Sequence, residues 1–165
     1  MDKMNITLIQ TGGTIDKDYP KSINGWAFEI GAPAYLRIIE KLPKTFKWEL
    51  KPLMQKDSTE IDDLDRERIK EACQETKNSM IIITHGTDTL IKTAESLSQL
   101  KNKTIVLTGA MLPERFSNSD AELNFGMALA GVQSLPYGIY ISIQGILALY
   151  NQIDRNLTTG EYFKK

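Results

Sequence analysis

A chain of 165 residues with 41% hydrophobic and 25% charged residues has the length and apolar content of one globular domain, which excludes disordered, collagen-like and coiled-coil classes. Lys and Arg total 20 against 21 Asp and Glu, a net charge of -1, so no broad phosphate-neutralising face and no nucleic acid partner are expected. The lone Cys73 excludes an internal disulfide and a zinc cluster, and its helical spacing with Ile69, Ala72 and Thr76 reads as a buried thiol. The first residues lack a signal-peptide apolar segment, and no apolar run approaches the ~20 residues of a membrane helix. A cytoplasmic protein without a membrane partner is expected.

In chain order, Met4 to Gln10 alternates and is β-rich, and Thr11-Gly12-Gly13-Thr14 breaks it: a strand, then a tight loop. Residues 16–31 carry Pro20, Asn24, Gly25 and Gly31 and read as a long polar loop, a length that is usually functional. Pro33 suits a first helical turn, so a helix is expected over 34–42, stopped by Pro43. Phe46, Trp48 and Leu50 alternate with polar residues as in a half-buried strand. Residues 61–77 set Leu64, Ile69, Ala72 and Cys73 among many charges, an amphipathic helix. The runs Met80-Ile81-Ile82-Ile83-Thr84 and Thr104-Ile105-Val106-Leu107-Thr108 are continuous apolar strands of the kind buried on both faces. Leu90, Ala94, Leu97 and Leu100 have helical spacing between them. Ser119 with Glu122 predicts a capping box opening a helix to about Ser134, and residues 137–143 give a further strand. Strand–helix repetition predicts an α/β fold: one domain over 1–165, a flavodoxin- or Rossmann-like three-layer sandwich around a mostly parallel sheet.

Ligands of such sheets bind outside the carboxyl ends of the strands. Two post-strand segments combine glycines with hydroxyls: Thr11-Gly12-Gly13-Thr14-Ile15 and Thr84-His85-Gly86-Thr87-Asp88-Thr89. Dinucleotide, phosphate-loop and nucleophile-elbow patterns are absent, so these loops carry no nucleotide signature. The sole histidine, His85, directly follows an apolar strand and reads as a structural residue that holds a loop. A threonine hydroxyl needs a neighbour to take or share its proton. Tyr19, five residues beyond Thr14, is close in the chain, and a lysine or aspartate near Thr87 could serve a second hydroxyl.

At these residues the chain resembles the bacterial-type L-asparaginase (asparaginase/glutaminase) family. Thr11-Gly12-Gly13-Thr14-Ile15 is similar to its first motif and His85-Gly86-Thr87-Asp88-Thr89 to its second. Thr108-Gly109-Ala110-Met111, with Pro113, Ser119-Asp120 and Asn124, is similar to a third stretch. The resemblance covers nearly the whole chain and implies hydrolysis of L-asparagine to L-aspartate and ammonia, with no metal and no organic cofactor. It implies Thr14 as nucleophile, Thr87 as second catalytic hydroxyl and Asp88 as partner of the substrate α-ammonium. Ser58 would help hold the α-carboxylate, with Asp57, Thr59, Gly86 and Ala110 as further substrate contacts. The family's second, C-terminal domain has no counterpart in this sequence, from which weak substrate affinity and a homodimer or homotetramer are expected. At the family's catalytic lysine the sequence has Asp154-Arg155-Asn156, leaving Arg155 as the nearest basic side chain; it can stabilise charge but cannot accept a proton. Tyr19 and Trp26 compete for the loop aromatic position, and Tyr19 is favoured as the catalytic group that activates Thr14, because Trp26 has no acidic hydroxyl. Two other readings stand beside asparagine hydrolysis. One is a non-catalytic amino-acid-binding relic; the other is a related amidase acting on glutamine or within a transamidation complex.

Overall fold

The computed structural model describes residues 3–19 and 28–165. Strand β1 (Met4–Gly12) opens the chain, a 3₁₀ turn (Thr14–Asp16) follows, and β2 (Lys17–Asp18) pairs antiparallel with β3 (Glu29–Ile30). The expected loop over 16–31 therefore has a two-stranded ribbon at its base. Next come α1 (Ala34–Ile39), β4 (Phe46–Lys56), a 3₁₀ turn (Ser58–Glu60) and α2 (Asp63–Glu75). Then follow β5 (Met80–Thr84), α3 (Leu90–Ser96), β6 (Thr104–Thr108), α4 (Ala121–Ser134), β7 (Gly138–Ile143) and β8 (Ile146–Leu149). The short strands β9 (Ile153–Arg155) and β10 (Tyr162–Lys164) close the chain as an antiparallel ribbon.

Six strands form one sheet in the order β4-β1-β5-β6-β7-β8. The first five run parallel and β8 returns antiparallel beside β7. Registers such as Leu8↔Ile82, Ile82↔Val106 and Val106↔Tyr140 line up apolar residues across the central strands. Because side chains alternate along a strand, the sheet has two apolar faces. Ile81, Ile83, Ile105 and Leu107 meet Ile69 and Cys73 of α2, Leu90 and Ala94 of α3, and Leu97 at the end of α3. Ile6, Leu8, Ile82, Val106 and Tyr140 meet Tyr35 and Ile38 of α1 and Phe125, Ala128 and Val132 of α4. Helices thus cover both faces, as the three-layer expectation requires.

Several details depart from the periodicity. Strand β4 runs on to Lys56, where its pairing with β1 shifts register between Gln10 and Gly12. The predicted capping box at Ser119 and Glu122 does not form. Ser119 Oγ instead donates to Leu112 O and accepts from Ala121 N, while Glu122 pairs with Lys41. The Asp120 carboxylate caps no backbone amide of its own helix and accepts instead from the amides of Met111 and Leu112 and from Asn124 Nδ2 on α4. A capping box does form on α2, where Asp62 Oδ1 accepts from Asp65 N and Asp65 Oδ2 from Asp62 N. Two aspartates three apart make the same reciprocal bonds as the Ser/Glu pattern.

Candidate active site

The carboxyl ends of β1, β4, β5 and β6 open at one end of the sheet, on either side of β1, where the chain order reverses between β4 and β5. Their loops are drawn into contact by glycine. Gly13 (φ +85) lies so near the β5 loop that a Cβ on it would stand 2.3 Å from Gly86 Cα. A Cβ on Gly86 would stand 2.6 Å from Ser58 Cβ, and one on Gly109 would stand 2.4 Å from His85 O. Gly13 N also donates to Lys56 O at 2.9 Å, joining the β1 loop to the end of β4. Four strand ends therefore touch through backbone, a packing that only residues without a Cβ permit.

Thr14 and Thr87 each directly follow one of the two glycines in contact, and both are half-buried. Their neighbours' hydroxyls are occupied. Thr11 donates to Thr84 O (2.9 Å), Thr89 to Ser58 O (2.7 Å) and Thr108 to Ser142 O (2.8 Å), and Thr93 bonds His85 Nε2 (2.9 Å). Among the described residues no hydrogen bond engages Thr14 Oγ1 or Thr87 Oγ1. Of the threonines at these strand ends, these two have hydroxyls left for a ligand.

His85 is fully buried, and burial pushes its pKa down to about 4. The carbonyl of Gly86 can only accept, so Nδ1 donates to it at 2.7 Å and Nε2 is left to accept from Thr93. The ring is a neutral brace for the Gly86 turn.

Ser58 is 1% exposed at the head of its 3₁₀ turn. Its Oγ accepts from Asp88 N at 3.2 Å, which leaves its proton to be donated elsewhere. Asp57 Oδ1 accepts from Thr59 N (3.1 Å) and Thr59 Oγ1 (2.9 Å). The Thr59 N–H holds the Asp57 carboxyl below the usual carboxylate range, with partial burial opposing it and the Thr59 hydroxyl and Lys17 helping. Asp57 and Thr59 thus build the turn that presents Ser58. Gly86 and Ala110 are buried, and Ala110 packs with Ile15, Ala34 and Ala121 beneath the loops.

Asp88 is half-exposed (52%) and its Oδ1 accepts from Arg155 Nη1 at 2.6 Å. Arg155, 14% exposed, also donates from Nε to Gly160 O at 3.2 Å and lies over the Tyr162 ring, 5.5 Å from its centroid. Tyr162 in turn donates its hydroxyl to the Thr87 carbonyl, and burial pushes its phenol up to about 12. The terminal ribbon of β9 and β10 thus reaches back to brace the β5 loop. Neither that ribbon nor Tyr162 is signalled by the sequence, because a lone tyrosine in a short polar tail carries no pattern. Beside Asp88 lies an open cleft of 380 Å³ lined by Thr89, Lys92, Asp154, Arg155 and Tyr162.

Tyr19 is 70% exposed, and its ring rests against Phe28 at 5.2 Å, with Phe28 against Phe116 at 5.3 Å. No hydrogen bond joins its hydroxyl to Thr14 among the described residues. Trp26 lies outside the described residues. Also among the described residues, no three His, Cys, Asp or Glu side chains are grouped to hold a metal ion, and no helix is long and apolar enough to cross a membrane.

A mostly parallel, doubly wound sheet with glycine-joined hydroxyl loops at its switch point defines the class: a three-layer α/β domain whose polar loops gather at the carboxyl ends of its strands. The family model described as Asparaginase, N-terminal, matches residues 5–159, and the chain belongs to the asparaginase family. It is 33% identical over 163 residues to the L-asparaginase of Thermococcus kodakarensis, a match covering 95% of this chain and 49% of that protein. A probable periplasmic L-asparaginase of Haemophilus influenzae is 29% identical over 176 residues, covering 96% and 48%. The solved structure of the thermostable Thermococcus kodakarensis L-asparaginase superposes with a TM-score of 0.82 at 30% identity, covering 98% of this chain and 51% of that one. L-asparaginase I of Vibrio cholerae shares the fold, with a TM-score of 0.77 at 19% identity over 99% and 52% of the two chains. The chain spans about half the length of the relatives it matches.

Proposed function

We propose that this chain hydrolyses L-asparagine to L-aspartate and ammonia, with Thr14 as nucleophile and Thr87 as the second hydroxyl at the carboxamide. The observation that carries the reading is that these two unengaged hydroxyls follow two glycines in backbone contact. Thr14 Oγ1 attacks the side-chain amide carbon, the hydroxyl proton departs with ammonia, and water then cleaves the ester to release aspartate. Backbone N–H groups aimed at the developing oxyanion are typically worth roughly 2.7–4 kcal/mol each in such sites.

The zwitterionic end of the substrate fits the remaining groups. Ser58 Oγ, which accepts from Asp88 N, has its proton free for the α-carboxylate. Asp88 spends Oδ1 on Arg155 and turns a half-exposed carboxylate toward the α-ammonium. An ion pair at that exposure is screened by water, so ground-state affinity is weak and KM high. Activation of Thr14 by Tyr19 is tested by Tyr19→Phe: lost turnover with binding retained supports it, since the packing of the ring against Phe28 survives that change.

The test is ammonia release from asparagine and glutamine by the parent chain and by Thr14→Ala. A fall of about 10³-fold or more at an unchanged melting temperature is expected, and near-parental turnover in the variant removes Thr14 from the mechanism. Binding without hydrolysis is the second reading, favoured by Arg155, which sits on Asp88 and cannot accept a proton. Calorimetric aspartate binding with no ammonia release would select it. We propose a cytoplasmic setting from the single buried thiol, Cys73.

A further inference from the structure

Asp16 ends the 3₁₀ turn that Thr14 begins, is 0% exposed, and has no part in the chemistry above. Its two oxygens face two donors: Oδ1 accepts from Ala34 N at 2.7 Å, and Oδ2 accepts from Gln10 Nε2 at 3.1 Å. Its carbonyl accepts from Gly31 N at 2.9 Å. Gln10 is also fully buried; its Nε2 donates a second bond to Gly31 O at 2.9 Å, and its Oε1 has no partner. Gly31 O receives a further bond from Gln55 Nε2 at 2.9 Å. The carboxylate, the amide and Gly31 together fasten the Thr14 turn to the segment that enters α1.

This arrangement suits an ionised Asp16. A proton on either oxygen would point at a donor, N–H of Ala34 or N–H of Gln10, and find no acceptor. The orphaned Gln10 Oε1 supplies one if the Gln10 amide turns over, but Oε1 would then also face Gly31 O, acceptor against acceptor. Gly31 O would be left with Gln55 Nε2 alone. The other groups facing Asp16 are Tyr35, whose buried hydroxyl has no partner, and the Arg37–Glu114 ion pair, 2.5 Å apart. Burial raises the Asp16 carboxyl from 3.8 to about 7, with the Ala34 and Gln10 bonds and Arg37 opposing and Glu114 adding to the rise.

We propose that Asp16 is a positioning residue for the Thr14 hydroxyl. Its carboxylate sets the Gln10 amide and so the Thr14 turn, and its protonation turns that amide over and loosens the turn. The proposal rests on the asparaginase reading for its effect on turnover, and on geometry alone for the coupling between Asp16, Gln10 and Thr14.

The experiment follows the Gln10 side-chain NH₂ and the Thr14 and Ala34 amides of the isotope-labelled chain by NMR between about pH 5 and pH 9, with kcat and KM for asparagine measured in parallel. One shared inflection near 7 is expected. With it, kcat should fall about tenfold on acidification while KM changes less than about twofold, because a misplaced nucleophile is felt in the transition state. Asp16→Asn mimics the neutral carboxyl and should show no inflection and a low, pH-independent kcat. Resonances that stay flat in the parent chain, or an inflection that survives in Asp16→Asn, overturn the proposal. Should Asp16→Asn fail to fold, the parent titration still decides. Ammonia release with flat resonances keeps the asparaginase reading and discards this one. An inflection lost in Asp16→Asn without ammonia release at any pH discards the asparaginase reading and upholds the coupling.

Discussion

Substituting Gly13 by alanine tests the packing of the loops directly. The new Cβ would stand 2.3 Å from Gly86 Cα and 2.4 Å from Gly86 N, both backbone atoms that cannot rotate away. It would also place a side chain at φ +85, ψ -178, a region essentially confined to glycine, at a cost of about 1–3 kcal/mol. Overpacking a closed contact adds about 1–3 kcal/mol, so Gly13→Ala should destabilise by about 2–6 kcal/mol in denaturant unfolding. Part of that strain is relieved by parting the β1 loop from the β5 loop, which separates Thr14 from Thr87. Turnover should therefore fall by about 10²-fold or more, the usual result of an ångström of misplacement. The control is Gly126→Ala on α4, where an added Cβ meets nothing within 4 Å. It should stabilise by about 0.5–1 kcal/mol and leave activity unchanged. If Gly13→Ala unfolds and turns over as Gly126→Ala does, the two threonines are not held together by this contact.

The remaining predictions concern charge, the terminal ribbon and assembly. Asp16 has its carboxyl raised from 3.8 to about 7, so the folded chain binds the extra proton between those values. Stability from this group is complete below about 4 and is lost as pH rises through 7, in total by about 4 kcal/mol, and Asp16→Asn should remove that slope from unfolding curves. Tyr162→Phe deletes the hydroxyl donated to the Thr87 carbonyl and should cost about 1–2 kcal/mol in unfolding, with a lowered kcat; unchanged kcat would make the ribbon a purely structural brace. Apolar Leu157 and Phe163 are exposed near the Arg155 ribbon, and self-association into a homodimer or homotetramer should appear in light scattering, against which a monomer at every concentration would count.

Much of the framework can be read from the residues alone. The two isoleucine- and valine-rich runs at 80–84 and 104–108 could only be strands buried on both faces, and that burial dictates helices on either side. The Gly/Thr segments after β1 and β5 stand at strand ends for the same reason, since glycine and hydroxyls do not continue an apolar strand. The errors fall where a polar side chain had two partners to choose from. Asp120 caps the Met111–Leu112 amides rather than its own helix, and Ser119 serves Leu112 and Ala121 rather than a box with Glu122.

What the sequence determined by itself was the alternation of buried strands and amphipathic helices, together with the two hydroxyl-bearing loops, because periodicity and glycine are local properties. Tertiary structure alone decided which hydroxyls stay unengaged, that Arg155 and Tyr162 return to Asp88 and Thr87, and that Asp16 lies buried between Gln10 and Ala34. Those outcomes depend on which loops meet at the carboxyl ends of β1, β4 and β5. Contacts between segments tens of residues apart are set by the order in which the strands assemble into the sheet, and no local pattern encodes them.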